Sequence, residues 1–164
     1  IDVNGAVEMT GSVVIVNGPI ENMNGALDYM STFNISGGTL VTAGSAGMSM
    51  GLSETSAQNS LLLNFEQVFP AGTAIHIEDM SGNAILTFIP EKDFQCIVFS
   101  APQLETGGEY TVSVGGETTG EIIDGLATSA GYTGGSEYTS FTVNSILTTI
   151  GTTYGHGPGG RQRP

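Results

Sequence analysis

Basic residues are scarce: three Lys and Arg face sixteen Asp and Glu, a formal net charge of −13 over 164 residues. A field of that sign repels nucleic-acid phosphates and anionic lipid headgroups, which argues against both as partners. Cysteine is nearly absent as well. The single copy, Cys96 in the apolar run 95–99, permits no intrachain disulfide and no thiolate metal cluster, and is expected to be buried as a small apolar side chain. Tryptophan is missing, which weakens the case for a flat aromatic platform. No apolar run approaches the ~18 residues needed to span a bilayer, so no membrane insertion is expected. The chain opens on Ile1 and shows no signal-peptide pattern, as expected of a mature secreted product or of a fragment.

Charged residues make up 12% of the chain, roughly half the usual globular share, while Gly, Thr and Ser are abundant. The solvent face is therefore built from hydroxyls and backbone, a β-rich, extracellular or cell-surface kind of exterior. The length suffices to bury an apolar core without disulfide support.

Self-comparison finds a repeat. Sliding residues 1–19 forward by 26 positions lays Asp2 on Asp28, Gly11 on Gly37 and Gly18 on Gly44. Apolar positions coincide too: Ile1 with Leu27, Val3 with Tyr29, Val7 with Phe33, Met9 with Ile35, Val14 with Leu40 and Ile15 with Val41. Each copy alternates apolar and polar residues in short bursts between Gly-containing corners, which predicts three short strands per copy. Such a unit cannot enclose a core alone, whereas laps stacked in parallel bury one continuous apolar column. Residues 1–52 are thus expected to form coils of a parallel β-solenoid. An antiparallel meander turning at Asn4-Gly5 and Asn17-Gly18 is the competing arrangement.

Stacking would bring the Asp2 and Asp28 carboxylates within about 4.8 Å along one ladder. Like charges so placed disfavour joint ionisation unless a cation or donor lies between them. Asn4, Glu21, Asn22 and Asn24 are the neighbouring oxygen ligands, and an oxygen-only set suits Ca²⁺ rather than zinc or copper. The alternative is that both aspartates face solvent or cap loop amides, with no metal.

Beyond residue 56 the repeat stops and longer strands are predicted over 60–65, 73–78, 84–89, 95–100, 109–114 and 140–144, with a hairpin turn at 79–83. Strands at this spacing point to a small antiparallel β-sandwich, immunoglobulin-like, over residues 53–150 that also caps the coils. The stretch 115–136 is expected to be a long loop, with Glu117, Glu121 and Asp124 as a second place for a cation or as plain solvated surface. Residues 151–164 are expected to be a flexible Gly/Pro-rich tail.

The segments Asn17-Gly18-Pro19, Asn24-Gly25-Ala26-Leu27-Asp28-Tyr29, Phe33-Asn34-Ile35-Ser36-Gly37-Gly38-Thr39-Leu40 and Ile75-His76-Ile77-Glu78-Asp79 resemble the C-terminal part of secreted bacterial carbohydrate-binding domain-containing proteins. The likeness runs through Tyr138–Val143. It implies a calcium-binding parallel β-helix shaped like the pectate lyases, a polysaccharide ligand and further coils upstream of this chain.

Catalysis is poorly supported. No G-x-S-x-G elbow is present, and a Ser/His/Asp site would have to recruit His76 or His156. His76, beside Glu78, reads as an ordinary exposed histidine. Lyases on the related scaffold pair calcium with an Arg or Lys base, and before Arg161 this chain offers only Lys92. Sugar binding needs aromatic faces and hydroxyl partners, for which Tyr29, Tyr110, Tyr132 and Tyr138 are the candidates, Tyr29 doubling as a core residue. The second function class is structural: an open strand edge invites head-to-tail addition into a homo-oligomer, filament or surface layer.

Overall fold

The computed structural model describes residues 1–127 and 131–152. Strands β1 (Asp2–Val3), β2 (Val7–Met9) and β3 (Val13–Asn17) make one lap, and β4 (Asp28–Tyr29), β5 (Phe33–Ile35) and β6 (Thr39–Gly44) a second. All three pairings are parallel, with Asp2 opposite Asp28, Val7 opposite Phe33 and Val13 opposite Thr39. The laps turn where Gly permits close approach. A Cβ on Gly38, at φ +89°, would lie 2.4 Å from the Ser12 carbonyl oxygen of the lap beside it, so no other residue fits that corner without moving backbone.

The rest of the chain adds β7 (Ser60–Phe69), β8 (Ile75–Asp79), β9 (Ala84–Phe88), β10 (Phe94–Ser100) and β11 (Glu109–Val114). After them come β12 (Glu117–Thr119), β13 (Ile122–Ile123), β14 (Leu126–Ala127), β15 (Gly131–Thr133), β16 (Ser136–Thr142) and β17 (Leu147–Ile150). The turn between β8 and β9 is tied by Asp79, whose Oδ1 accepts the Ser81 and Asn83 amides at 2.8 and 2.9 Å. Asn83 Nδ2 donates to the other oxygen at 2.8 Å. These bonds, those from Asn83 foremost, hold the Asp79 carboxyl below the usual carboxylate range.

The expected β-solenoid with a separate immunoglobulin-like cap is corrected by the sheet topology. The chain is all-β, with no helix among the described residues, but β3 and β6 do not stay with the laps. They join a mixed five-stranded sheet of order β17-β7-β10-β6-β3, in which β10 runs antiparallel to both β6 and β7. Once β10 has paired with β6 in that sense, a third parallel lap has no edge to wind onto. A six-stranded sheet of order β13-β14-β9-β8-β11-β16 packs against the five-stranded one, giving a sandwich-like fold that draws strands from both sides of residue 52.

The five-stranded sheet is buried on both faces. One face sends Val41, Leu61, Leu63, Phe65, Ile97 and Phe99 against Ile75, Ile77, Phe88 and Val112 of the six-stranded sheet. The opposite face sends Leu40, Leu62, Cys96 and Val98 against Met9, Leu27, Phe33 and Ile35 of the laps. Burial on two faces accounts for the near-continuous apolar and small residues of β6 and β10, which lack the alternation of a half-solvated strand.

Candidate functional site

Two polar ladders cross the laps. Asp2 and Asp28, on paired positions of β1 and β4, are both exposed, at the strand spacing of about 4.8 Å. On β2 and β5, Asn34 Nδ2 donates to Glu8 Oε1 at 2.8 Å, and Thr55 Oγ1 donates to Asn34 Oδ1 at 2.6 Å. A carboxylate, an amide and a hydroxyl thus stand in one row, the carboxylate outermost.

The oxygen set expected around calcium is not gathered as one cage. Asn4, Glu21, Asn22 and Asn24 are exposed; Asn22 Oδ1 accepts the Ser45 hydroxyl at 3.3 Å, and the Asn24 amide closes a turn on the Glu21 carbonyl at 3.0 Å. Among the described residues no three His, Cys, Asp or Glu side chains converge on one point, so Glu21 does not join Asp2 and Asp28. Asp2 and Asp28 remain as a pair on one ladder, apart from the other residues of the expected set. Glu117, Glu121 and Asp124 are likewise exposed, with no third carboxylate gathered at one place.

The four tyrosines have other work. Tyr29 donates to the Gly51 carbonyl at 2.6 Å and meets Phe33 edge-on, with burial raising its pKa. Tyr110 is 4% exposed; its hydroxyl donates to the Gln103 carbonyl and accepts the Glu105 amide, both at 2.8 Å. Tyr138 packs against Phe65 and Phe69 and accepts the Glu66 amide at 3.1 Å. Tyr132 stacks on His76 with centroids 4.0 Å apart and donates to the Gly115 carbonyl at 2.9 Å. Every hydroxyl is engaged within the fold.

That stack revises two expectations. Residues 115–136 contain the ribbon β12/β15 as well as β13 and β14, which extend the six-stranded sheet. The ribbon seals His76 to 3% exposure. His76 is therefore not an exposed histidine, although Glu78 is its neighbour as expected, with Nε2 3.4 Å from Glu78 Oε2. Its Nδ1 lies 2.8 Å from Thr87 Oγ1. Burial lowers the imidazole pKa, and Glu78 opposes that shift through its hydrogen bond and its charge. A histidine lidded by a tyrosine ring and tied to a threonine is not placed to serve as a base for an outside substrate. His156 and the Arg161 and Arg163 side chains lie outside the described residues.

An open cleft of about 520 Å³ lies at one end of the sandwich, lined by Asp79, Ser81, Asn83, Gln103, Glu105 and Glu109 among others. It offers hydroxyls, amides and carboxylates, and no basic group. The sequence matches no protein-family model, and neither a curated protein nor a solved structure matches the chain.

Proposed function

We propose that this chain is a non-catalytic, extracellular polysaccharide-binding unit whose sugar-facing groups are the carboxylates and amides of its two laps. The observation that carries this reading is the exposed, side-by-side pair Asp2 and Asp28, which has no ion-pair partner among the described residues. Two unneutralised carboxylates at strand spacing attract a cation, and oxygen ligands favour calcium. Calcium held there would supply positive charge and free coordination positions for the carboxylates or hydroxyls of a sugar chain. Glu8 and Asn34 add a hydrogen-bonding row on the same laps. The resemblance to secreted carbohydrate-binding proteins points the same way, with Asp2 and Asp28 rather than the tyrosines as the binding groups.

Affinity electrophoresis through gels cast with alginate, a carboxylated polymer, or dextran, a neutral one, tests the reading. Retardation by alginate in calcium, lost in EGTA and in the D2N/D28N double variant, is the expected result. Free migration in both gels overturns polysaccharide binding. Retardation that survives the double substitution overturns the assignment to the ladder.

A further inference from the structure

The two sides of the lap stack end differently. On the far side of the second lap, the Phe33 and Ile35 amides donate to Ser53 Oγ at 2.8 Å and Ser56 Oγ at 3.1 Å. The Phe33 and Ile35 carbonyls accept the Ser53 and Ala57 amides at 2.9 and 3.0 Å. Side chains and loop close that side. On the first lap, β1, β2 and β3 each pair on one side only among the described residues.

At β3 the free edge opens on a groove. The Ser12 carbonyl accepts the Thr39 amide and the Gly18 amide donates to the Ala43 carbonyl, at 2.9 and 2.8 Å. Parallel pairing alternates, so Val14 and Val16 also bond to β6, and the N–H and C=O groups of Val13 and Ile15 point away from it. The groove beside them measures about 520 Å³ and is lined by Val13, Val14, Ile15, Asn17, Glu91 and Asp124. Its surface is mixed: Asn17, Glu91 and Asp124 line it beside Val13, which is 58% exposed, and the half-buried Val14 and Ile15. Glu91 and Asp124 are exposed carboxylates without an ion-pair partner among the described residues. One end is closed: Asn17 accepts the Glu91 amide on Oδ1 at 2.9 Å and Lys92 Nζ on its carbonyl at 3.2 Å.

We propose that the β3 edge groove is a docking site for an extended polypeptide strand that carries basic side chains, belonging to a protein other than this one. Unpaired amides and carbonyls on an edge are satisfied by a strand added alongside. The exposed Val13 offers a seat for one apolar side chain of that strand. The two carboxylates select Lys or Arg between them by charge complementarity. A second copy is the poorer occupant, because each copy carries −13 and would set acidic groups against Glu91 and Asp124. This site is separate from the Asp2/Asp28 ladder.

The test uses two end-blocked hexapeptides, one alternating lysine with valine and one alternating glutamate with valine, titrated into the ¹⁵N-labelled full chain. The lysine peptide is expected to slow exchange of the Val13 and Ile15 amide hydrogens at least fivefold and to shift resonances of residues 13–17, 91 and 124. Raising salt from 50 to 300 mM, or substituting Glu91→Gln with Asp124→Asn, should weaken that binding roughly threefold or more, with the chain's own melting temperature unchanged. The D2N/D28N variant should bind the lysine peptide as the parent does, which keeps this result independent of the polysaccharide reading. No protection at Val13 and Ile15, equal binding of the glutamate peptide, or sedimentation as a dimer that buries the same amides would each overturn the proposal.

Discussion

Replacing Tyr132 with Ala should loosen the β12/β15 ribbon without unfolding the sandwich beneath it. Two contacts hold the ribbon at this residue: the ring stacked 4.0 Å from His76 and the hydroxyl bonded to the Gly115 carbonyl. An aromatic stack contributes about 0.5–1.5 kcal/mol beyond its buried area, and a typical hydrogen bond about 1 kcal/mol net. Losing both costs about 2 kcal/mol, or roughly a thirtyfold rise in the open population, since ~1.4 kcal/mol is tenfold. Amide exchange of β12 and β15 should accelerate by that factor while β7 and β10 keep their protection. Y132F, which keeps the ring, should show about half the effect in free energy. Opening the ribbon also hydrates His76, so the imidazole pKa should rise towards its ordinary value, read from ring resonances in an H156A background that leaves one histidine. Because burial holds the folded-state pKa below its value in the unfolded chain, the neutral form is the one the closed ribbon favours. Its stabilisation is complete above about pH 6.5 and is lost as pH falls from there through the folded pKa. Unchanged exchange in β12 and β15 together with an unchanged His76 titration would refute the latch.

Tyr110→Phe should lower the melting temperature by roughly 3–6 °C, because the hydroxyl serves the Gln103 carbonyl and the Glu105 amide together and their loss costs about 1–2 kcal/mol; a shift under 1 °C by calorimetry would show that water replaces it. Cys96 is buried and its thiol is pushed up to about 12, so the native chain should give no colour with Ellman's reagent at pH 8 while the chain in 6 M guanidinium reacts fully. Prompt labelling of the native chain would place the thiol in a region that opens readily.

The pairings of the laps were legible because a single offset of 26 residues carries Asp2 onto Asp28 and Val7 onto Phe33, and parallel ladders preserve such an offset. The sheet that absorbs β3 and β6 was not. Pairing Val98 with Thr42 on one side and Leu62 on the other joins residues far apart in the chain, and nothing local in those segments names a partner. The doubly buried runs in β6 and β10 were the available signal: strands covered on both faces lose the period of two, and residues 39–44 and 96–99 are apolar or small almost throughout. The ribbon leaves no signal in the sequence for the opposite reason. Its strands are three residues each, bounded by glycines of positive φ such as Gly116, Gly120 and Gly134, too short for any periodicity to register. The burial of His76 is equally illegible, since it depends on Tyr132, more than fifty residues away.

The sharing of one sheet between two cores bears on how the laps would serve the polysaccharide-binding role proposed for them. Short strands such as β1 and β4, two residues each, cannot hold a register by their own hydrogen bonds, because a two-stranded pair is marginal in water. Their alignment is fixed by Leu27, Phe33 and Ile35, which are fully buried against Leu62, Val98 and Cys96 of the five-stranded sheet. That sheet is in turn held from its other face by Phe88, Ile75 and Val112. The spacing of Asp2 and Asp28 is therefore set by packing two layers below the surface, and a cavity made at Phe99, on the far face, should loosen the carboxylate ladder as surely as a substitution beside it. If the laps bind as proposed, a site on so few residues of strand would take its preorganisation from the sandwich underneath.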